Sequence, residues 1–291
     1  MSARFAAGVF SAGTCDGLTK PYEPALRVQS AGGRAMFSDK WIWGRVPEGF
    51  DKITDAHGRR LMVRRDRAAH IDFSLCETSS HGVIKESQYS GRGRLHAIGL
   101  PEGDCALIRA YRHGGFFRAV TGRWFSSWPP RPFRELVVTE ELRHRGLRTV
   151  EVYAACVSRT VGPFYRGWLI TRELRGAEDF WSALQSGTVG RIGAAALRAT
   201  AQSIRAMHLQ GVYHADLNLR NILLRVEDDR PVSYIIDYDR AQLFLGALPD
   251  ALARRNLARL KRSARKLDPS GRYLSEAAWR ELIEFYHEDA A

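Results

Sequence analysis

One polar stretch, Tyr213-His214-Ala215-Asp216-Leu217-Asn218-Leu219-Arg220-Asn221, sets a carboxylate and a carboxamide five residues apart. A second carboxylate, Asp237, follows sixteen residues beyond Asn221 in Tyr234-Ile235-Ile236-Asp237-Tyr238-Asp239. These residue types suit the transfer of a phosphoryl group from a nucleotide to a hydroxyl. Asp216 can accept the proton of an attacking hydroxyl, the catalytic role. The amide oxygen of Asn221 and the carboxylate of Asp237 are hard oxygen donors for Mg2+, which takes its remaining ligands from ATP phosphates and water. His214 reads as structural, holding the loop by hydrogen bonds.

Taken singly, each of these residues is explained by a turn, where Asp and Asn bond nearby backbone. The ordered set is not. A long helix, a glycine stop, H-x-D-x-x-x-x-N, an apolar strand, a turn and a further Asp form the base-and-metal arrangement of kinase-type phosphotransferases.

The upstream elements must then position the nucleotide. Ser90-Gly91-Arg92-Gly93-Arg94 is a candidate glycine turn over the phosphates, where Gly91 and Gly93 let backbone N–H groups approach. The cation expected on the following strand is Arg109 in ALIRAY. Lys85 in VIKES precedes the glycine turn and so falls in the wrong order. The acid partnering Arg109 is Glu135 in PFRELVVTEEL, with Glu140 and Glu141 as alternatives. The run from Gly167 to Leu174 is the expected hinge, with Arg172 and Glu173 in the segment whose backbone binds adenine.

Apolar runs at 61–63, 82–85, 105–111, 150–157 and 167–170 read as strands, and a helical repeat follows Pro132 and stops at Gly146. The second half is helical. Residues 194–210 put Leu197, Ala201, Ile204 and His208 on one face and end at Gly211. Short apolar segments at 222–226 and 234–236 follow, and from Leu248 the chain is helical again, first basic and then amphipathic. Strands followed by helices make an α+β, two-lobed chain.

Composition agrees. The 291 residues are 45% hydrophobic and 26% charged, which excludes a disordered or fibrous protein. No apolar stretch has the ~18–20 residues of a membrane-spanning helix. The four cysteines (Cys15, Cys76, Cys105 and Cys156) are far apart, against a zinc site or a disulfide scaffold. Residues 1–15 read as a flexible terminus rather than a lipoprotein signal. The 44 Lys and Arg against 32 Asp and Glu give a balance of +12, suited to phosphorylated partners. Aromatic and basic residues are not interleaved as in RNA-binding modules, so no nucleic-acid partner is expected.

YHADLNLRNILL and IIDYDRA, with ALIRAYRHGG, PFRELVVTEEL, GPFYRGWLITREL and RRNLARLKRSARKL, resemble the lipopolysaccharide kinase family over roughly residues 91–267. HADLN stands where protein kinases have HRDLK, and Asp237-Tyr238-Asp239 stands where they have DFG. The resemblance implies a bilobal protein-kinase-like fold with a strand-rich N-lobe and a helical C-lobe. The expected layout is an N-terminal extension at 1–57, the N-lobe at 58–170 and the C-lobe at 171–291. It also implies an ATP- and Mg2+-dependent kinase whose glycolipid acceptor is the lipopolysaccharide inner core, at a hydroxyl of 3-deoxy-D-manno-octulosonic acid (Kdo). By motif position Asp216 carries over as base, Asn221 and Asp237 as metal ligands, Arg109 as phosphate-binding cation and Glu135 as its partner. The place implied is cytoplasmic, peripheral at the cytoplasmic face of the inner membrane, where the basic tail would meet an anionic surface. Alternatives are a core heptose kinase, an antibiotic- or choline-type phosphotransferase, a protein Ser/Thr kinase, and a pseudokinase or basic binding module.

Overall fold

The structure, a computed structural model, describes residues 46–77, 95–111, 125, 130–159 and 164–288. Elements are numbered among these. Six strands form one sheet: β1 (Phe50–Thr54), β2 (Arg60–Arg64), β3 (Leu95–Gly99), β4 (Cys105–Ala110), β5 (Val152–Arg159) and β6 (Tyr165–Arg172). Their order is β1-β2-β5-β6-β4-β3, antiparallel throughout. The sheet takes in Phe50–Thr54 from the segment expected to precede the lobe.

The central strands β2 and β5 are apolar on both faces, and alternation sorts their side chains except at a register shift between Val152 and Ala154. Leu61, Val63, Tyr153, Ala154 and Cys156 pack on one face with Ile71, beside the short helix α1 (Phe73–Glu77). Met62, Val152, Ala155 and Val157 pack on the other, with Phe133, Leu136 and Val137 of α2 (Arg131–His144). Prolines at 130 and 132 open α2, where a missing N–H costs nothing, and Gly146 follows its end at φ 78°. Gly167 lets the start of α2 lie against β6, because a Cβ there would run into the Pro132 ring.

The second half is built on α5 (Ala194–Leu209), whose residues Leu197, Ala201, Ile204 and His208 are all buried, as the period requires. It packs between α7 (Glu276–His287) and a hairpin of β9 (Ile222–Glu227) and β10 (Arg230–Ile235). The hairpin turns through Asp228 and Asp229, both at positive φ, the geometry that suits strand twist. Strand β7 (Glu178–Asp179) joins that hairpin, and Asp179 caps α3 (Phe180–Gln185) by accepting from the Ser182 N–H. A short helix α4 (Thr188–Ile192) leads into α5. Beyond it β8 (Val212–Tyr213) pairs with β11 (Gln242–Leu243), and α6 (Asp250–Leu267) carries the basic run. The expected strand at 82–85 and glycine turn at 90–94 lie outside the described residues.

Candidate active site

The loop after β8 is wired by its own side chains. His214 is almost fully buried; its Nε2 donates to the Ile236 carbonyl (3.0 Å) and its Nδ1 accepts from the Asp216 N–H (3.2 Å). Burial holds the imidazole below its ordinary pKa, so it serves as a neutral bracket. The amides of Asn218 and Asn221 both donate to the Asp216 carbonyl, at 2.8 and 2.9 Å. With its nitrogen so engaged, Asn221 has its amide oxygen left for a cation. The Asp216 side chain remains 43% exposed, accessible to a substrate hydroxyl.

The backbone of His214 is held from α6. Fully buried Asn256 accepts from the His214 N–H (3.1 Å) and donates to the His214 carbonyl (2.8 Å). Its Oδ1 also takes a hydrogen bond from His208 Nε2 (3.2 Å), whose Nδ1 accepts from the Tyr286 hydroxyl.

Asp237 arrives from β10. Ile236 N–H donates to the Asn221 carbonyl (3.0 Å), so the two halves of the motif are joined through backbone. Asp237 sits at φ 67°, an uncommon backbone for a residue with a Cβ, and Tyr238 behind it is buried with its ring 5.1 Å from that of His214. Asp239 turns the other way and is buried against Arg131, whose Nε lies 3.0 and 3.1 Å from its two oxygens and whose Nη2 also bonds it.

From the sheet, Arg109 of β4 reaches both acids. Its Nη2 contacts the Glu135 oxygens at 2.5 and 2.6 Å, and its Nη1 lies 3.2 Å from Asp237 Oδ1. The Tyr111 hydroxyl donates to Glu135, and the guanidiniums of Arg109 and Arg131 lie 5.0 and 5.4 Å from the Tyr111 ring centre. Burial pushes the Glu135 carboxyl upward against the pull of Arg109, with Asp237 and Asp239 adding to the push. Burial works the same way on Asp237, but there the Arg109 guanidinium prevails and holds the carboxyl below its usual range.

One cleft gathers Asp216, Asn221, Asp237, Arg109 and Glu135 at its polar end. Leu95, Leu107 and Leu169 from the sheet, and Leu174 and Leu223 from below, make an apolar slot able to take a flat base. Arg172 lines this slot, while its guanidinium reaches Asp104 (3.3 Å) and Glu151 (3.7 Å). The Glu173 N–H is taken up by the Cys105 carbonyl (2.9 Å), and its neighbours Arg172 and Leu174 face the slot. Gly91, Gly93 and Lys85 lie outside the described residues. Glu140 pairs with Arg64 and Arg143, and Glu141 with Arg145, away from Arg109. Sequence reasoning missed Asn256, Tyr111 and the Arg131–Asp239 pair. Asn256 had a signal: it is a polar residue on the buried stripe of α6 with Ala253, Leu257 and Leu260.

No group of three or more His, Cys, Asp or Glu among the described residues could hold a metal ion. An oxygen pair such as Asn221 and Asp237 fits a hard cation that shares its other ligands with phosphates and water.

An antiparallel sheet above a helical half, with two carboxylates, a carboxamide and an acid-anchored guanidinium in the cleft between, has the arrangement of a phosphotransferase of the protein-kinase-like class. A solved structure titled "WaaP in complex with acyl carrier protein" has the same fold, at TM-score 0.50 and 19% identity over 81% of this chain and 88% of that one. Residues 76–286 match the lipopolysaccharide kinase (Kdo/WaaP) family model, and the chain belongs to that family. It is 34% identical over 208 residues to the 3-deoxy-D-manno-octulosonic acid kinase of Vibrio cholerae, covering 69% of this chain and 83% of that protein. The enzyme of the same name from Vibrio vulnificus is 34% identical over 180 residues, 61% of this chain and 72% of its own. That from Xanthomonas axonopodis pv. citri is 33% identical, over 71% and 80% respectively. The chain is accordingly a lipopolysaccharide kinase, a phosphotransferase with a sugar hydroxyl as acceptor and ATP as donor.

Proposed function

We propose that this kinase phosphorylates a hydroxyl of Kdo in Kdo-lipid A, with Asp216 as the general base and Asn221 and Asp237 as ligands for Mg2+. The observation that carries the reading is the convergence of Asp216, Asn221, Asp237 and the Arg109–Glu135 pair on one cleft. The acceptor oxygen attacks the γ-phosphorus of ATP in line with the departing ADP oxygen, and Asp216 takes the proton that the hydroxyl loses. Glu135 fixes the Arg109 guanidinium toward the phosphates, and the leucine slot takes the adenine beside the 172–174 backbone. Gly91 and Gly93 would cover the phosphates. Mg2+, when bound, supplies neutralising charge to the phosphate oxygens.

We place the enzyme at the cytoplasmic face of the inner membrane. Exposed Arg254, Arg255, Arg262, Arg265 and Lys266 on α6 support this, each cation near an anionic surface contributing about 1 kcal/mol. No helix among the described residues is long and apolar enough to cross a membrane.

The test is phosphate transfer from labelled ATP to Kdo-lipid A, heptosylated core and a generic protein, with Asp216→Ala as control. Label on Kdo-lipid A that disappears in the variant is the expected result. Label confined to heptose or protein would overturn the acceptor.

A further inference from the structure

Two kinds of arginine stand at or beside the polar end of the cleft. Arg109 is committed to Glu135 and Asp237, and Arg131 to Asp239. Arg220 and Arg259 are not so committed. Arg220 lies in the turn just before Asn221 and lines the cleft, yet its Nε is buried with no hydrogen-bond partner among the described residues. The Arg259 Nε is in the same condition. Its Nη1 stands 3.9 Å from Asp216 Oδ1, a loose approach that leaves the guanidinium 37% exposed beside the candidate base. Helix α6, which carries Arg259, packs against the turn that carries Arg220. Since both Nε atoms are closed to solvent, an incoming anion would meet the terminal N–H groups of each guanidinium. A guanidinium is always charged, and its planar fork matches a carboxylate.

We propose that Arg220 and Arg259 form a seat for the carboxylate of the acceptor sugar, next to Asp216. This rests on the acid-sugar reading above and goes beyond it by naming what selects that sugar. Phosphate is the other anion such a seat would accept. The carboxylate is favoured because the nucleotide end already has its cation in Arg109, and Arg259 approaches from α6 beyond the residues lining the cleft. Holding the sugar by its acid group leaves a hydroxyl free to point at Asp216.

The test compares Kdo-lipid A with the same acceptor bearing a methyl-esterified Kdo carboxyl, using wild type, Arg259→Gln, Arg220→Gln and Arg259→Lys. Wild type should turn over the ester with kcat/KM about 10- to 100-fold lower, the size of a lost charge-assisted hydrogen bond. Each Gln variant should raise KM for Kdo-lipid A by a similar factor, keep its KM for ATP, and no longer distinguish acid from ester. Arg259→Lys should recover part of the discrimination. A rise in KM for ATP in place of that for the acceptor would assign the seat to phosphate and overturn the proposal, as would full discrimination in both Gln variants. A wild type inactive on Kdo-lipid A would instead remove the reading on which the seat rests, and the seat with it. Retained KM for ATP in either variant shows that the variant is folded.

Discussion

Replacing Asn256 by leucine would test whether α6 holds the loop of His214 and Asp216 in place. The change nearly preserves volume and removes three hydrogen bonds, at 2.8, 3.1 and 3.2 Å. It strands the N–H and carbonyl of His214 and the ring N–H of His208, all in a region closed to water. Each buried polar group left without a partner costs about 1–3 kcal/mol, and the shared neighbourhood keeps the sum to about 3–6 kcal/mol. That is a large part of the ~5–15 kcal/mol by which domains are stable. With a urea slope of about 3 kcal/mol per molar, the unfolding midpoint should fall by about 1–2 M. Under native conditions kcat should drop more than affinity for ATP, because Asp216 is bonded through its N–H to His214 while the leucine slot is untouched. A midpoint within about 0.3 M of wild type, roughly 1 kcal/mol on that slope, would refute the reasoning.

Asp216→Ala should lower kcat by about 10²–10⁴-fold with unfolding unchanged, the usual size of a general-base effect, as steady-state kinetics beside a urea curve would show. Asp237→Ala should abolish Mg2+-dependent nucleotide binding in titration calorimetry, and normal binding would break the metal assignment. Gly211→Ala should destabilise by at least about 2 kcal/mol in urea unfolding, since φ is 71° and a Cβ would lie 2.5 Å from the Phe244 carbonyl oxygen. Burial lowers His208 from 6.5 to about 4. Its contribution is therefore complete above pH 6.5 and is lost as pH falls toward 4, by about 2 kcal/mol between pH 6.5 and 5. His208→Gln should flatten that part of the stability profile, and an unchanged slope would remove His208 as its source.

What was legible in the sequence is what is local along the chain. The helix at 194–209 showed itself by period, and Asp216, Asn221 and Asp237 by spacing, because one loop and one hairpin hold them. Arg109 and Glu135 could be ordered along the chain, but only the fold brings them to 2.5 Å. Asp239 finds Arg131 across 108 positions, and Asn256 finds His214 across 42, with nothing near either residue to name its partner. Two strands of the six-stranded sheet also escaped notice for physical reasons. Strand β1 is a sheet edge with four of its five side chains exposed, so FDKIT lacks an apolar alternation. LHAIG of β3 is evenly half-buried and shows no period of two. Helices α1, α3 and α4, of five or six residues, are too short to display a helical repeat.

The double anchorage of α2 bears on how such an enzyme can be governed. Tilting the helix away would strip Glu135 and Asp239 of their guanidiniums together, so the two pairs are kept or lost in one event. The acid that steadies Arg109 and the guanidinium that holds Asp239 therefore ride on one rigid rod, one turn apart. No local shift of that rod can release the one without disturbing the other, so the two lobes' charged anchors answer to a single mechanical element.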